Sequence, residues 1–219
     1  HWAMKINFNH HENINFIIGN INDPEKIKQT LLRYNFDIII LAAAMKHIDK
    51  AEYESNECIN TNLLGTQTVL NCIETHKNEL NNLKEVCFIS TDKACSPVNL
   101  YGMIKSLSEC LMIEKSKFVK DIKFVCVRYG NVLNSRGSII PLLHKIGKKS
   151  EYKNYKITDR RMTRFVMTLA QSVIVAMPDY FTIPIGTELR INSIGEGVLA
   201  NDVGIANDSV AKILKQPSH

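Results

Sequence analysis

Short apolar runs recur along this chain, separated by longer amphipathic stretches. The runs predict buried strands at Asp37–Leu41, Glu85–Ser90 and Lys123–Arg128, because a short apolar run between turn signals is typical of a strand buried on both faces. Strands at this spacing, with helices between them, predict right-handed crossovers and a parallel sheet.

Helices are predicted in the stretches around these strands. An apolar run at Phe16–Ile18 is followed by Asp23, an N-cap-like residue, and by Pro24, a proline in the first turn, which together predict a helix through Tyr34. After the first strand, a long loop is predicted to reach Glu54. Two further helices are predicted over Ser55–Lys77 and from about Tyr101 to Lys117.

The carboxyl ends of the strands are the expected place for a ligand. In parallel sheets, ligands bind beyond these ends, and the turn at Ala42, the loop at Thr91 and the loop at Tyr129 all lie there. The first of these turns consists of three small residues, Ala42, Ala43 and Ala44, as dinucleotide-binding sheets require. The pattern therefore predicts an α/β domain with a nucleotide site.

Composition narrows the class of protein. The 219 residues are 45% hydrophobic and 22% charged, which predicts one soluble domain with a small lobe. A net charge of +5 without an arginine and aromatic stripe argues against nucleic acid. The same modest positive charge suits a small-molecule ligand that bears phosphate. A lysine cluster at 145–153 is interpreted as a solvated face, with an anion site as the alternative.

Cysteine usage and hydropathy bear on the compartment. The six cysteines show no metal-type pairs and stand mostly in apolar stretches, as reduced core cysteines do. No apolar run approaches the length of about 18 residues that indicates a membrane span. We therefore expect a cytoplasmic protein with no membrane partner. The seven histidines are dispersed, so no metal is expected.

One motif of nucleotide-binding sheets is absent from the chain. No G-x-G-x-x-G follows any predicted strand, although such a sheet holds a pyrophosphate at its first turn. Two interpretations are open: the chain is part of a longer protein whose first βαβ unit carries the motif, or it is a protein that has lost cofactor binding. The chemically complete appearance of the rest favours the first.

Tyr101 and Lys105 are the first candidate catalytic pair. Four residues apart at the start of a helix, they lie on one face, and an ammonium beside a phenol favours the phenolate form, which can act as a base. Upstream, Ser90 and Thr91 offer a hydroxyl that can hold a substrate oxygen against the phenol. The alternative is an amphipathic helix with a lysine that reaches to solvent.

Asp92 and Lys93 are the second candidate pair. On a solvated loop, an adjacent acid and amine merely form a turn contact or face water. In a closed site, burial favours the uncharged forms of both groups, so that an acid can donate a proton to a leaving hydroxyl and an amine can remove a proton from carbon. Pro97 is expected to stiffen the loop between this pair and Tyr101.

Five segments of the chain together resemble one known family. They read FIIGNIND (16–23), AAAMKHIDKAEY (42–53), STDKACSPVNLYGMIK (90–105), VRYGNVLNSRGSIIP (127–141) and ITDRRMTRF (157–165). The chain is similar to the soluble, C5-inverting UDP-N-acetylglucosamine 4,6-dehydratases of the extended short-chain dehydrogenase/reductase superfamily. The resemblance implies a Rossmann-like, doubly wound parallel sheet that lacks its first βαβ unit here. Residues 1–140 would form the NAD(P)-binding domain, and 141–219 a partial substrate lobe with returning Rossmann elements.

The resemblance also implies roles for the candidate residues. Tyr101, assisted by Lys105 and Thr91, would deprotonate the sugar 4-hydroxyl while the nicotinamide accepts hydride from carbon 4. Lys93 would then remove the proton from carbon 5, and Asp92 would protonate the departing 6-hydroxyl. Hydride then returns to carbon 6 and a proton to carbon 5, so that the cofactor ends as it began.

Binding residues are implied in the same way. Those expected near the cofactor, NADP with NAD as the alternative, are Asn20, Ile21, Ala42, Ala43, Ala44, Lys46, Asn62, Tyr101 and Lys105. Those expected near the UDP-sugar are Lys46, Asn131, Ser135, Arg136 and Arg164. For the two arginines, surface pairing with Asp159 or Glu151 is the alternative. The resemblance also implies a homo-oligomer, which in this superfamily often forms through the helix that contains Tyr101 and its neighbour.

Two other functions remain open on the sequence. A nucleotide-sugar epimerase or reductase of the same superfamily would need Tyr101 and Lys105 but not Asp92 or Lys93. A non-catalytic nucleotide-sugar-binding protein would need none of the four. The motifs favour the dehydratase.

Overall fold

A computed structural model describes residues 13–135, 138–148, 159, 161, 163–176 and 212–213. Three parallel strands, β1 (Ile38–Leu41), β2 (Glu85–Thr91) and β3 (Lys123–Tyr129), form the centre of the fold. The sequence predicted all three to within one residue at either end. The parallel α/β architecture is thereby confirmed.

The helices, the short strands and the remaining sheet partners complete the described part. In chain order the helices are α1 (Pro24–Tyr34), α2 (Ile48–Tyr53), α3 (Ser55–Cys58), α4 (Gly65–His76), α5 (Leu100–Phe118), α6 (Ile139–Gly147) and α7 (Leu169–Val175). The short strands are β4 (Asn131–Val132), β5 (Val166–Met167) and β6 (Lys212–Ile213). The main sheet has the order β1-β2-β3-β6, with β6 antiparallel to β3, whereas β4 and β5 form a separate parallel pair.

Both faces of the main sheet are covered. On β2, side chains alternate between the faces, so that Val86 and Phe88 join the larger core with residues of α1, α4 and α5. Cys87, from the opposite face, packs in a smaller core with Met167 and Val175 of β5 and α7. The fold is therefore doubly wound, as the sequence predicted.

The first helix begins and ends where its sequence signals predict. The Asp23 side chain accepts a hydrogen bond from the Lys26 amide, and Pro24 occupies the first turn, where no backbone donor is needed. The helix ends at Asn35, which adopts a left-handed conformation with φ of 44°. Asparagine tolerates this conformation better than most residues.

Residues 14–20, which include the apolar run Phe16–Ile18, form no strand. The segment before Glu54 differs from the prediction. The predicted long loop before Glu54 contains α2, which buries Ala51 fully and is tied to the start of α5 by a hydrogen bond from the Leu100 amide to Glu52. Because the helix is so short and has no side-chain cap, tertiary contacts rather than a local signal stabilise it.

The predicted helix over Ser55–Lys77 is present but irregular. Between α3 and α4, residues Ile59–Leu64 form a π-helical segment, a widening of the helix that is frequent at functional sites. The segment contains Asn62, a buried polar residue. Among the helices that the structure describes, none has the length and apolar character needed to cross a bilayer.

Candidate functional site

Lys105 lies beneath the carboxyl end of β2. Its ammonium donates a hydrogen bond of 2.7 Å to the Ile89 carbonyl oxygen and stands 4.4 Å from the centre of the Phe88 ring, a distance that permits a cation–π contact. The residue is only 2% exposed. Burial lowers the pKa of Lys105 to about 8, against an opposing effect of Glu109.

Tyr101 lies one helical turn before Lys105 on the same face of α5. Its ring packs against a small core of Ala51, Cys58 and Ile104. Burial, followed by the negative charge of nearby groups, raises the pKa of Tyr101 to about 12. The sequence-based expectation was that the neighbouring ammonium would favour the phenolate. In the protein alone, the penalty of burying the phenolate is larger than that benefit.

Asp92 and Lys93 lie in a single 3₁₀ turn that follows β2 directly. The Lys93 ammonium is 2.9 Å from Asp92 Oδ1 and 3.3 Å from Asn131 Oδ1, while the Thr91 hydroxyl donates to Asp92 Oδ1 over 3.0 Å. The side chains of Lys93 and Asp92 are only 26% and 15% exposed. The pair is therefore held in a hydrogen-bonded cluster and does not extend into solvent.

Gly102 brings the two candidate pairs together. A Cβ atom at this position would lie 2.3 Å from the Lys93 carbonyl oxygen and 3.2 Å from Pro97 Cβ. A glycine therefore allows the first turn of α5, which carries Tyr101, to pack directly on the backbone of Lys93. The Asn99 side chain caps this helix by accepting a hydrogen bond from the Gly102 amide.

We expect Gly102→Ala to destabilise the protein by about 2 kcal/mol or more, because a backbone carbonyl has no side-chain freedom with which to make room. Chemical denaturation with urea measures the loss. Gly19→Ala is the matched control, since a Cβ there would meet the flexible Lys26 side chain at 2.8 Å. Equal stability of the two variants would contradict the close approach.

Four of the residues predicted near a cofactor line one cleft. Asn20, Ile21, Ala42 and Ala43 meet at the carboxyl end of β1, around a cavity of about 310 Å³. The small side chains at 42 and 43 leave this end of the strand open. The structure therefore brings these four predicted residues together, although they are far apart in the chain.

Asn62 stabilises the loop that follows β1. Its side chain accepts a 2.7 Å hydrogen bond from the Met45 amide and donates a 3.0 Å bond to the Met45 carbonyl. The buried amide thus holds the backbone beside Ala44 and Lys46. The side chain of Lys46 is exposed. The widened helix around Asn62 explains how this amide reaches a loop 17 residues away in sequence.

The residues predicted near the sugar have different positions. Asn131 contacts Lys93 directly, as described above. Ser135 is partly buried in the turn after β4. Arg164 is exposed and donates to the carbonyl of Thr163, and Arg136 lies outside the described residues. Asp159 pairs with Arg161 at 2.8 Å, so the alternative pairing of Asp159 with Arg164 is not what the structure has.

Of the two hydroxyls at Ser90 and Thr91, either of which could hold a substrate oxygen on the sequence, that of Ser90 is engaged elsewhere. The Ser90 hydroxyl is buried and donates to the Glu109 carboxylate, which also binds Arg128 through two hydrogen bonds of 2.9 and 2.7 Å. One signal was available, because Glu109 lies one turn beyond Lys105 on the same face of α5. Thr91 is therefore the hydroxyl of this pair that lies beside Asp92.

The site as a whole contains groups suited to proton transfer. A phenol, two amines, a carboxyl and a hydroxyl meet at the carboxyl end of β2 and the start of α5. No cluster of three or more metal-ligating side chains is present in the part of the chain that the structure describes. The arrangement can move protons to and from a substrate, and the cleft beside β1 offers room for a cofactor.

Comparisons with known proteins show the family of the chain. A family model described as polysaccharide biosynthesis protein matches residues 2–213. The inverting UDP-N-acetylglucosamine 4,6-dehydratase of Campylobacter jejuni subsp. jejuni serotype O:23/36 is 41% identical over 161 residues, which cover 72% of this chain and 46% of that protein. A UDP-glucose 4-epimerase of Rickettsia bellii is 40% identical over 162 residues, covering 73% and 45%.

Solved structures show the same fold. Pen from Bacillus thuringiensis has a TM-score of 0.71 at 34% identity, and the match covers 80% of this chain and 54% of that one. The dTDP-glucose 4,6-dehydratase DesIV from Streptomyces venezuelae has a TM-score of 0.67 at 18% identity, covering 77% and 55%. At that identity the likeness is one of fold.

The match to the family model extends over nearly the whole chain, whereas the chain spans about half the length of the curated relatives that it matches. These relatives are named as nucleotide-sugar enzymes. On the strength of the family model and of the identity to its dehydratase relative, the chain belongs to the polysaccharide biosynthesis protein family.

Proposed function

We propose that this chain carries the catalytic centre of a nucleotide-sugar 4,6-dehydratase, with UDP-N-acetylglucosamine as substrate and inversion at carbon 5. The observation that carries the proposal is the Lys93 ammonium, held at 2.9 Å from Asp92 and 3.3 Å from Asn131. The backbone of Lys93 lies against Gly102, which follows Tyr101 in the first turn of α5. An oxidoreductase without elimination needs no such pair.

Tyr101 is the proposed base for oxidation. The phenol receives the proton of the sugar 4-hydroxyl as carbon 4 becomes a ketone. Because burial holds the phenol protonated in the protein alone, even with Lys105 one turn away, the phenolate would need further positive charge, which a bound oxidised nicotinamide would add. Thr91, whose hydroxyl donates to Asp92, is proposed to assist Tyr101 at the 4-hydroxyl of the sugar.

Asp92 and Lys93 are proposed to carry out the elimination. The ketone at carbon 4 acidifies the proton on carbon 5. Transfer of one proton from Lys93 to Asp92 across their 2.9 Å contact leaves an amine and a carboxylic acid. The amine then takes the proton from carbon 5, the carbon–oxygen bond at carbon 6 breaks, and the acid protonates the departing oxygen to give water.

The residues present fit a nicotinamide dinucleotide. Asn20, Ile21, Ala42 and Ala43 line the cleft at the end of β1 and would hold it, with the loop of Ala44 and Lys46 fixed by Asn62. When bound, the nicotinamide supplies the acceptor of hydride from carbon 4 and its donor to carbon 6. We propose NADP, with NAD as the alternative.

The sugar and its diphosphate are proposed to contact the loops after β3. Ser135 lies in the turn after β4, and an arginine such as Arg136 or Arg164 suits a diphosphate because its planar fork pairs two oxygens. Asn131 is proposed to orient Lys93 as well as to face the sugar.

A product assay tests the function. The full protein that contains this chain is incubated with UDP-N-acetylglucosamine and a catalytic amount of NADP, and mass spectrometry and proton NMR follow the sugar nucleotide. We expect loss of one water, no net reduction of cofactor, and solvent deuterium at carbon 5. An unchanged substrate, with or without binding, would instead favour a non-catalytic nucleotide-sugar-binding protein.

The second candidate is a nucleotide-sugar 4-epimerase. The 40% identity to Rickettsia bellii proteins of that name favours it. An epimerase of this kind returns hydride to carbon 4 and keeps the 6-hydroxyl. The same assay distinguishes the two functions, because the epimerase product has the mass of the substrate.

We further propose that the enzyme is a homo-oligomer formed through α5. Met103 and Leu107 are 47% and 53% exposed, and with the exposed Cys110 they form an apolar stripe at helical spacing. Leu107→Glu should lower the mass measured by light scattering to that of a smaller species, whereas Leu142→Glu, at an exposed apolar position on α6, should not. An unchanged mass in Leu107→Glu would exclude this face.

A further inference from the structure

Glu109 is a buried carboxylate that the proposed mechanism does not use. It is 2% exposed on α5, one turn beyond Lys105. Both of its oxygens are engaged: Arg128 donates to Oε1 over 2.9 Å and to Oε2 over 2.7 Å, and the Ser90 hydroxyl donates to Oε1. A carboxylate is buried in this way only when its lone pairs are satisfied.

The three partners lie on the three elements that carry the site. Ser90 directly precedes Thr91 on β2, and Arg128 lies on β3, paired with Ser90 in the sheet register. Glu109 belongs to the helix that carries the candidate base. The cluster therefore fixes the position of α5 on β2 and β3, and with it the position of the Lys105 ammonium relative to the sheet.

Among the described residues, no carboxylate contacts the Lys105 ammonium directly. Its ammonium donates to the Ile89 carbonyl and faces the Phe88 ring, and none of the ion pairs in the described part of the chain includes it. The titratable groups near it are Tyr101 and Glu109, one turn before and one turn after it on its own helix, Cys58 from α3 and Cys126 from β3. Burial raises the pKa of Tyr101 to about 12, so the phenol is neutral near pH 7. Strand β2 contributes the carbonyl and the ring, neither of which titrates.

Among the groups that face the ammonium, Glu109 supplies the negative charge. Burial raises the pKa of the Cys58 thiol and raises that of Cys126 well above the ordinary value, so both are neutral near pH 7. The Arg128 guanidinium partly offsets the carboxylate. However, the Arg128 side chain is 13% exposed, against 3% for Glu109. Solvent therefore screens the positive charge of Arg128 more effectively than the negative charge of Glu109.

We propose that Glu109 is a positioning residue for Lys105: together with Ser90 and Arg128 it fixes α5 on strands β2 and β3, and it supplies the negative charge that keeps the buried Lys105 ammonium protonated. This inference rests on the proposed function for the statement that Lys105 serves catalysis. The charge and the contacts themselves do not depend on that statement.

Titration of Lys105 in Glu109→Gln tests the inference. The midpoint is read from the lysine side-chain carbon and nitrogen resonances by NMR, with Lys105→Arg to assign the signal. From a wild-type value of about 8, the midpoint should fall by about one to two pH units, since a charge one helical turn away in a partly buried site contributes that much. A change of less than about 0.3 unit would overturn the proposal.

Two controls separate charge from packing. Glu74→Gln removes the partner of Lys115, an ion pair that ties α4 to the same helix α5, and should leave the Lys105 midpoint unchanged. Ser90→Ala removes a contact to Glu109 but no charge, and should also leave it unchanged. A shift in either control comparable to that in Glu109→Gln would contradict the proposal. If Glu109→Gln does not fold, the double variant Glu109→Gln/Arg128→Gln keeps a neutral hydrogen-bonded pair. A smaller fall in the midpoint is then expected, because the offsetting positive charge of Arg128 is removed as well.

The outcome is distinguishable from that of the proposed function. If the Lys105 midpoint falls in Glu109→Gln while the wild-type protein forms no sugar product, the proposed function is wrong and the inference on Glu109 stands. If product forms and the midpoint does not move, the inference alone is wrong. Where both hold, the alkaline limb of the kcat profile of Glu109→Gln should move to lower pH, because the ammonium is lost earlier.

Discussion

Replacing Lys93 with methionine should abolish dehydration while oxidation of the sugar still occurs. Methionine fills a similar volume but offers no amine, so the proton on carbon 5 has no base. We expect the rate of water loss to fall by about 10³-fold or more, the range of a general base. The measurements are mass spectrometry of the sugar nucleotide and NMR detection of solvent deuterium at carbon 5, both of which should report no reaction.

The distinctive part of this result is that the first half-reaction survives. Near-ultraviolet absorbance should still report reduction of stoichiometric cofactor. The described hydrogen bonds of the Lys93 side chain go to Asp92 and Asn131, so the substitution should leave Tyr101 and Lys105 in place. Lys120→Met, at an exposed lysine, is the control and should keep full activity. Full turnover of Lys93→Met would exclude elimination by this pair and favour the epimerase.

Tyr101→Phe should stop the reaction one step earlier. Without the phenolic oxygen, the 4-hydroxyl has no proton acceptor, so neither reduced cofactor nor product should form, with a loss of about 10³-fold or more. The unfolding free energy should stay within about 0.5 kcal/mol of wild type, because no hydrogen bond to the Tyr101 hydroxyl is present among the described residues. Rapid absorbance measurements and urea denaturation check the two expectations.

The exposed Tyr53, at 90% exposure, provides the matched control, and Tyr53→Phe should behave as wild type. If Tyr101→Phe reduced cofactor at the normal rate, another group would have to accept the proton. Loss of product with normal reduction would move Tyr101 from the oxidation to a later step.

The main sheet was predictable because its strands are short apolar runs bounded by turn signals. The run at Glu85 and the helix start at Asp23 carry their information locally, so both appear where the sequence places them. By contrast, α2 was not predictable, because it depends on burial of Ala51 and on a hydrogen bond from Leu100, both of which require the folded chain. The pairing of β6 with β3 likewise depends on residues 84 or more positions apart in sequence.

The relative positions of some candidate residues were predictable, but their contacts were not. Spacing places Tyr101 and Lys105 on one face of a helix, and the structure has them there. Spacing does not reveal that the Lys105 ammonium binds the Ile89 carbonyl or that Ser90 serves Glu109, since these partners come from β2. Gly102 could not be recognised from sequence alone either, because its importance comes from the backbone that it approaches.

The contact between Lys93 and Asn131 bears on how related nucleotide-sugar enzymes could come to catalyse different reactions. The groups proposed for oxidation lie on α5, whereas the amine proposed for elimination is held in part by β4, a separate two-stranded unit. A substitution on β4 could therefore change the proposed elimination step without changing the groups proposed for oxidation. A lineage that exchanged Asn131 for a residue unable to accept a hydrogen bond would loosen the amine and move toward simple interconversion of stereoisomers, with its oxidising machinery untouched.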